Sequence, residues 1–253
     1  IAFSGKLDGG ISPGFYQIAG PSKNFKTSFG LVAVSSYLKK YDDAIVFFFD
    51  SEFGASMSYF DRFGITEEMR ERIIHLPFQD LEELKFELVK QLDSVERGEH
   101  VMIFIDSIGL SASKKEVEDA LAEKSSQDMT RAKQLSSIAR IITPVLSMKQ
   151  LVCLAINHVY KTQEMFAKDV VSGGQKLELA SQGILSISRS KEKDDDGVSG
   201  YTFNIKIMKS RFAREETRVP VTVTWDGGIH RWSGMAEIAS KLGVIQEGRI
   251  SRS

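Results

Sequence analysis

Along this chain, short runs that are apolar at every position alternate with stretches whose apolar residues recur every three or four positions. The first pattern suits strands buried on both faces and the second suits amphipathic helices, so their alternation predicts an α/β fold with a mostly parallel sheet flanked by helices. Strands are predicted at Phe15–Ala19, Ala44–Asp50, Ile73–Leu76, His100–Asp106 and Gln150–Ile156. Helices are predicted at Lys26–Lys40, around Ser56–Phe63 and over Gln127–Met148. A further long helix starts at Asp80, whose carboxylate can cap it. Leu81, Leu84, Leu88, Leu92 and Val95 line one face, and Gly98 is expected to end it. Beyond residue 182 the period changes to two, which predicts antiparallel hairpins over Gly183–Ser188, Tyr201–Lys209 and Val219–Trp225. The acidic run at 194–196 reads as a hairpin tip, Asp226-Gly227-Gly228 as a turn and Gly234–Leu242 as a last helix. Two polar segments, Gly109–Ser126 and Tyr160–Lys176, break the pattern and are predicted as long loops, the first of them partly helical. Loops of that length inside a compact domain usually carry function.

Composition narrows the field. At 253 residues, 42% hydrophobic and 26% charged, with neither repeats nor a Pro-rich linker, residues 1–253 read as a single globular domain. The net charge of −1 means that contact with nucleic acid must come from local basic patches. No apolar run reaches the roughly 18 residues of a membrane helix. The single cysteine, Cys153, excludes an intrachain disulfide and suits a reducing cytoplasm. Histidines at 75, 100, 158 and 230 are too scattered for zinc-site spacing.

The chemistry concentrates between the first strand and the first helix. Gly20, Pro21, Ser22, Lys23, Asn24, Phe25, Lys26 and Thr27 follow the pattern G-x-x-x-x-G-K-[ST], with Phe25 in place of the second glycine. Such a loop cradles phosphates with backbone N–H groups at a helix N-terminus. Lys26 would reach the β- and γ-phosphates, and the Thr27 hydroxyl would ligate Mg²⁺. Taken alone, the segment reads equally well as a Lys-Thr pair that happens to open a helix. An aromatic residue can follow the loop if φ is negative there or the strain is tolerated. Asp106, closing the run MIFID, has the form of a magnesium-site carboxylate; standing alone it would be a turn cap. Glu52, after the strand AIVFFFD, can polarise an attacking water or form a surface ion pair. All three motifs fall at the C-terminal ends of strands, where open α/β sheets bind ligands.

In wording and order the chain resembles the RecA-family recombinases, and in particular the T4-like bacteriophage branch. The resemblance is carried by GPSKNFKT, FFFDSEFG, VMIFIDS, CLAINHVYKTQEMF, GGQKLELASQ and MKSRFAREETR, and it spans nearly the whole sequence. It implies a RecA-like ATPase core preceded by an N-terminal module that docks onto a neighbouring subunit, with residues 1–13 as the exit from that module. It also implies that Gly20 to Ser28 bind ATP, that Glu52 activates water and that Asp106 serves the Mg²⁺ site. Tyr59 would stack on adenine, and His158 would sense the γ-phosphate. Lys209 and Arg211 would reach across a filament interface to the neighbour's ATP. Strand alternation puts both of them on one face; without the resemblance they read as a solvated strand edge.

The same resemblance assigns the two polar segments to DNA. Lys161, Phe166, Lys168 and Lys176 interleave cations with an aromatic residue, which suits phosphate contact plus base stacking. In the first segment and the helix after it, Lys114, Lys115, Arg131 and Lys133 are candidates, although nearby acids dilute their charge. The implied activity is DNA-dependent ATP hydrolysis by a filament on single-stranded DNA that pairs with homologous double-stranded DNA. It would act in the cytoplasm of a phage-infected bacterial cell, with a recombination mediator and a single-strand-binding protein as partners and no membrane. A hexameric DNA helicase on the same core is the alternative, and a regulatory ATPase without strand exchange is a third reading.

Overall fold

The computed structural model describes residues 10–54, 57–122, 130–162, 169–194, 197–224, 228–229 and 233–234. In chain order the first half comprises β1 (Gly14–Ala19), α1 (Lys26–Lys40), β2 (Ile45–Asp50), α2 (Met57–Asp61), α3 (Glu67–Arg70), β3 (Ile73–Pro77), α4 (Leu81–Ser94) and β4 (Val101–Asp106). Then follow α5 (Lys114–Leu121), α6 (Thr130–Lys149), β5 (Val152–Asn157), β6 (Val159–Lys161), β7 (Asp169–Val171) and α7 (Gln175–Ala180). The chain continues through β8 (Gly183–Asp194), β9 (Gly197–Ser210), β10 (Arg218–Thr224) and β11 (Gly228–Ile229). Nine strands form one mixed sheet in the order β11-β10-β9-β8-β1-β5-β4-β2-β3, and β6 pairs with β7 in a separate ribbon. The block from β8 to β3 is parallel, whereas β8, β9, β10 and β11 run antiparallel to one another.

Strand alternation divides the core into two layers. Phe47 and Phe49, Ile103 and Ile105, and Cys153 and Ala155 face α4 and α6. Their neighbours Val46, Phe48, Met102, Phe104, Leu154 and Ile156 face α1. A period of two on a sheet covered on both sides requires apolar residues at every position, which is why these strands read as unbroken hydrophobic runs. Each buried large side chain contributes about 1.5–3 kcal/mol relative to exposure.

Several boundaries differ from the expectations. The Asp80 carboxylate does cap α4, accepting from the Glu83 N–H at 2.8 Å. The helix ends at Ser94 rather than at Gly98, because Val95 is already extended; Gly98 belongs to the turn beyond, with φ 104°. The first polar segment contains α5, a helix that buries none of its residues and is capped by Ser113. Residues 127–129 of the helix expected at 127–148 lie outside the described residues, as do residues 226 and 227 of the predicted turn and nearly all of the helix predicted from Gly234.

Candidate nucleotide site

The parallel strands deliver their C-terminal residues to one edge, with Ala19 beside Asn157 and Asp50 beside Asp106 in the sheet register. The loop leaving β1 turns there into α1. No side chain caps α1 and no acid occupies its first turn, so its N-terminal donors face the cavity without a built-in anion. That is what a phosphate-binding terminus requires. A Cβ at Gly20 would lie 2.7 Å from the Ile187 carbonyl oxygen, so the first motif glycine is fixed by close approach to β8.

Phe25 occupies the second glycine position in a left-handed conformation, φ 56° and ψ 24°. The angle is positive, so the loop tolerates the strain rather than avoiding it, at a cost of order 1–3 kcal/mol. The Phe25 ring packs on Phe203 of β9 at 4.9 Å between centroids, and Phe29 meets the same ring edge-on at 5.8 Å. An aromatic pair contributes about 0.5–1.5 kcal/mol beyond its burial, which is comparable with the strain.

Lys26 is buried, and its Nζ donates to the Pro21 carbonyl at 2.9 Å. Burial pushes its ammonium down from the usual range, while Glu52 and Asp106 pull in the opposite sense. Thr27 Oγ1 donates to Asp106 Oδ2 at 2.7 Å. Burial carries the Asp106 carboxyl up to about 7 despite the Thr27 hydrogen bond, and Glu52 and Asp50 add to the rise. Its Oδ1 is buried with no hydrogen-bond partner. A buried carboxylate oxygen left open beside a threonine hydroxyl fits a hydrated Mg²⁺, a hard cation that prefers oxygen ligands and keeps several of its waters.

Glu52 sits across the cavity. Its Oε1 accepts from Ser107 Oγ at 2.9 Å and lies 4.0 Å from His158 Nε2. The His158 imidazole, then the Ser107 hydroxyl, hold the Glu52 carboxyl below the usual range against partial burial. His158 Nε2 is itself buried and without a hydrogen-bond partner. Asp50, two residues earlier at the end of β2, accepts the Glu52 and Phe53 N–H groups at 3.0 and 2.8 Å and thereby fixes the turn that presents Glu52. Tyr59 joins the wall through its hydroxyl, 2.7 Å from Ser28 Oγ. The resulting cavity is about 660 Å³ and is lined by residues 22–28, Glu52, Tyr59, Ser107, His158, Arg189 and Tyr201, among others. Ser107 closes the VMIFIDS run but was given no role there, and the hairpin residues Arg189 and Tyr201 were not expected, since no local motif marks them.

The remaining candidates lie elsewhere. Lys209 is at the opposite end of β9 from the cavity. Ile184 pairs with Lys209 but Leu185 pairs with Ile207, so Met208 is an extra residue that breaks the expected alternation. The Lys209 ammonium donates to the Glu178 and Leu179 carbonyls at 2.7 and 3.0 Å. Arg211 lies beyond the end of β9, exposed, with its N–H on the Gln182 carbonyl, so the two cations do not share a strand face.

Arg131 turns inward: Nε donates to the Ser111 carbonyl at 3.0 Å, Nη2 to those of Ile108 and Gly109, and Nη1 to Ser172 Oγ. All three guanidinium nitrogens are engaged within the chain, which makes the side chain a brace between the two polar segments instead of an open phosphate contact. Lys161 and Lys176 are exposed, at either side of the second segment. Phe166 and Lys168 lie outside the described residues. Beneath that segment the fully buried Asn157 donates to Gln17 Oε1 at 2.6 Å and to the Ser172 carbonyl at 2.8 Å, tying the tip of β5 to the end of β7.

The family model described as the RecA N-terminal domain matches residues 7–230. The chain belongs to the RecA family. It is 46% identical over 245 residues to the "Recombination and repair protein" of Enterobacteria phage T4, covering 97% of this chain and 62% of that protein. It is 26% identical over 243 residues to the RecA protein of Cereibacter sphaeroides, covering 94% of this chain and 68% of the relative. The chain thus spans between three fifths and seven tenths of the length of these two RecA-family relatives. The crystal structure of the RadB recombinase superposes with a TM-score of 0.66 at 20% identity, covering 88% of this chain and 93% of that one, which supports the RecA-type fold.

Proposed function

We propose that this chain is the ATPase core of a recombinase that forms a filament on single-stranded DNA and pairs it with homologous duplex, hydrolysing ATP as it does so. The observation that carries the reading is the Thr27–Asp106 hydrogen bond with an open Asp106 Oδ1, set between the uncapped start of α1 and Glu52. In this reading the amides of residues 22–28 hold the triphosphate and Lys26 exchanges its Pro21 contact for phosphate oxygens. Thr27 and Asp106 hold Mg²⁺, which supplies positive charge to the β- and γ-phosphate oxygens when bound. Glu52 takes a proton from the water whose oxygen bonds to the γ-phosphorus; the bond from that phosphorus to the bridging oxygen breaks, leaving ADP and phosphate. His158, beside Glu52, is the group through which the state of the γ-phosphate reaches the second polar segment. Tyr59 supplies a ring for adenine.

Lys209 and Arg211 lie away from this chain's own cavity, which supports their acting on a neighbouring copy, where they would add positive charge to the transition state. Lys161, Phe166, Lys168 and Lys176 are the proposed DNA contacts. The net charge of −1 suits a protein that multiplies weak contacts by polymerising. The likeness to a phage T4 protein supports action inside an infected bacterial cell, and no helix among the described residues is long and apolar enough to cross a membrane.

Electron microscopy of the protein with single-stranded DNA, with and without Mg·ATP, together with a strand-exchange assay, tests the proposal. Open helical filaments that form with ATP and pair homologous strands are expected. Closed rings that unwind forked duplex, or hydrolysis indifferent to DNA, would overturn it.

A further inference from the structure

Two residues of the phosphate loop, Lys23 and Phe25, hold positive φ, at 63° and 56°. Neither is a glycine, so each adopts this conformation at a cost of roughly 1–2 kcal/mol that a partner can offset. Each has one on the β8–β9 hairpin. Phe25 rests on Phe203, a fully buried ring of β9, and Tyr201 flanks Phe203 at 6.1 Å. The Lys23 carbonyl accepts from Arg189 Nη1 at 3.1 Å, and that guanidinium lies 4.7 Å above the Tyr201 ring. Between them, Asn24 Nδ2 donates to the Ile187 carbonyl of β8 at 2.8 Å. Three consecutive loop residues are therefore fastened to one hairpin. β8 pairs with β1 only from Gly183 to Ser186 and then runs on past the end of β1, which carries the hairpin alongside the loop.

We propose that the β8–β9 hairpin is a positioning element of the nucleotide site, in which Phe203 and the Arg189–Tyr201 pair hold Phe25 and Lys23 in the left-handed shape that a glycine at position 25 would reach without help. Phe203, buried beneath the loop, acts only through it, whereas Arg189 and Tyr201 hold the loop and also line the cavity. The inference rests on the nucleotide reading above and deepens it. Loss of the loop's shape costs affinity because the amides of residues 22–28 must then be reordered by the ligand itself. Truncation of Phe203 therefore has two separable effects. One is ordinary core damage, which is indifferent to residue 25. The other is release of Phe25, which disappears once glycine is placed there.

Calorimetric titration with Mg·ADP of the parent chain, Phe203→Leu, Phe25→Gly and the double variant separates them. Phe203→Leu is expected to weaken binding about tenfold in the parent background, and by less than about twofold in the Phe25→Gly background. Arg189→Met is expected to weaken binding about threefold in the parent and by less in a Lys23→Gly background, whereas equal losses in both would mark a direct ligand contact and count against positioning. Equal losses from Phe203→Leu in both backgrounds, or no loss in either, would overturn the inference while leaving the nucleotide reading intact. If Phe203→Leu does not fold, unchanged affinity in Arg189→Met and Tyr201→Leu overturns it in the same way. A parent chain that does not bind Mg·ADP would remove the nucleotide reading itself, and this inference with it.

Discussion

Thr27 Oγ1 and Asp106 Oδ2 are joined by a 2.7 Å hydrogen bond, while the second oxygen of that carboxylate stays buried and unpartnered. The bond links the first turn of α1 to the tip of β4 and leaves a desolvated anion with half of its acceptor capacity unused. Such a group costs stability until a cation meets it.

Asp106→Asn is accordingly expected to stabilise the nucleotide-free chain while abolishing Mg²⁺-dependent hydrolysis. The folded carboxyl titrates at about 7, above its ordinary value of 3.8. Between those limits the folded chain keeps a proton that the unfolded chain has released, so the parent loses stability as pH rises through the window. The advantage of the variant should be near zero at pH 4, grow to about 4 kcal/mol by pH 8 and appear as a higher Tm. Thermal melts at both pH values check this.

Glu52→Gln should retain Mg·ATP binding and lower kcat by about 10²–10⁴-fold, the usual contribution of a positioned base. Because His158 and then Ser107 hold the Glu52 carboxyl below its usual range, activity in the parent should persist into mildly acidic buffer. Removing the imidazole with His158→Ala should raise the Glu52 pKa and move the acid limb of the residual kcat profile to higher pH. Single-turnover hydrolysis across pH measures both effects.

Much of this site was legible in the sequence. Helix α1 begins and ends where the apolar period and the Lys26-Thr27 pair put it, and Glu52 and Asp106 stand at strand ends as their motifs require. What stayed hidden has a common cause. Arg189 reaches Lys23 across 166 residues of chain, and Phe203 reaches Phe25 across a similar interval, so neither leaves a local pattern. Helix α5 lies in the segment expected to be partly helical, but its bounds stayed hidden because its apolar residues Val117, Ala120 and Leu121 are few and remain exposed. The inward turn of Arg131 could not be read either, since its acceptors are backbone carbonyls that any sequence supplies.

That geometry separates Arg131 from the exposed lysines. Arg131→Met should cost about 1–3 kcal/mol of stability, by leaving buried carbonyls of the 108–111 turn unpaired. Lys161→Ala and Lys176→Ala should leave Tm within about 0.5 kcal/mol equivalents and each reduce the salt slope of DNA binding by about 1. Denaturant melts and binding isotherms at several salt concentrations distinguish the two behaviours.

Lys209→Ala should abolish hydrolysis on its own and, mixed with Lys26→Ala, recover part of it. In such mixtures some interfaces join an intact cavity to an intact Lys209. Equal mixtures should regain about a quarter of parental turnover if the two proteins co-assemble at random, as expected for a charge supplied by the neighbour. DNA-stimulated phosphate release against mixing ratio gives the answer.

An ammonium has three N–H bonds to give, and Lys209 already spends its position at the foot of α7 on the carbonyls of Glu178 and Leu179. Reaching the phosphate of a neighbouring copy, as proposed, would draw the ammonium off those carbonyls. If, as proposed, a nucleotide next door draws that charge away, the short helix that follows Gly173 and Gly174 loses one contact at its C-terminal end and rests on Ser181 and the buried Leu177. Occupancy at one junction would then be felt as a loosened helix end beside the second polar segment of the chain that lends the lysine.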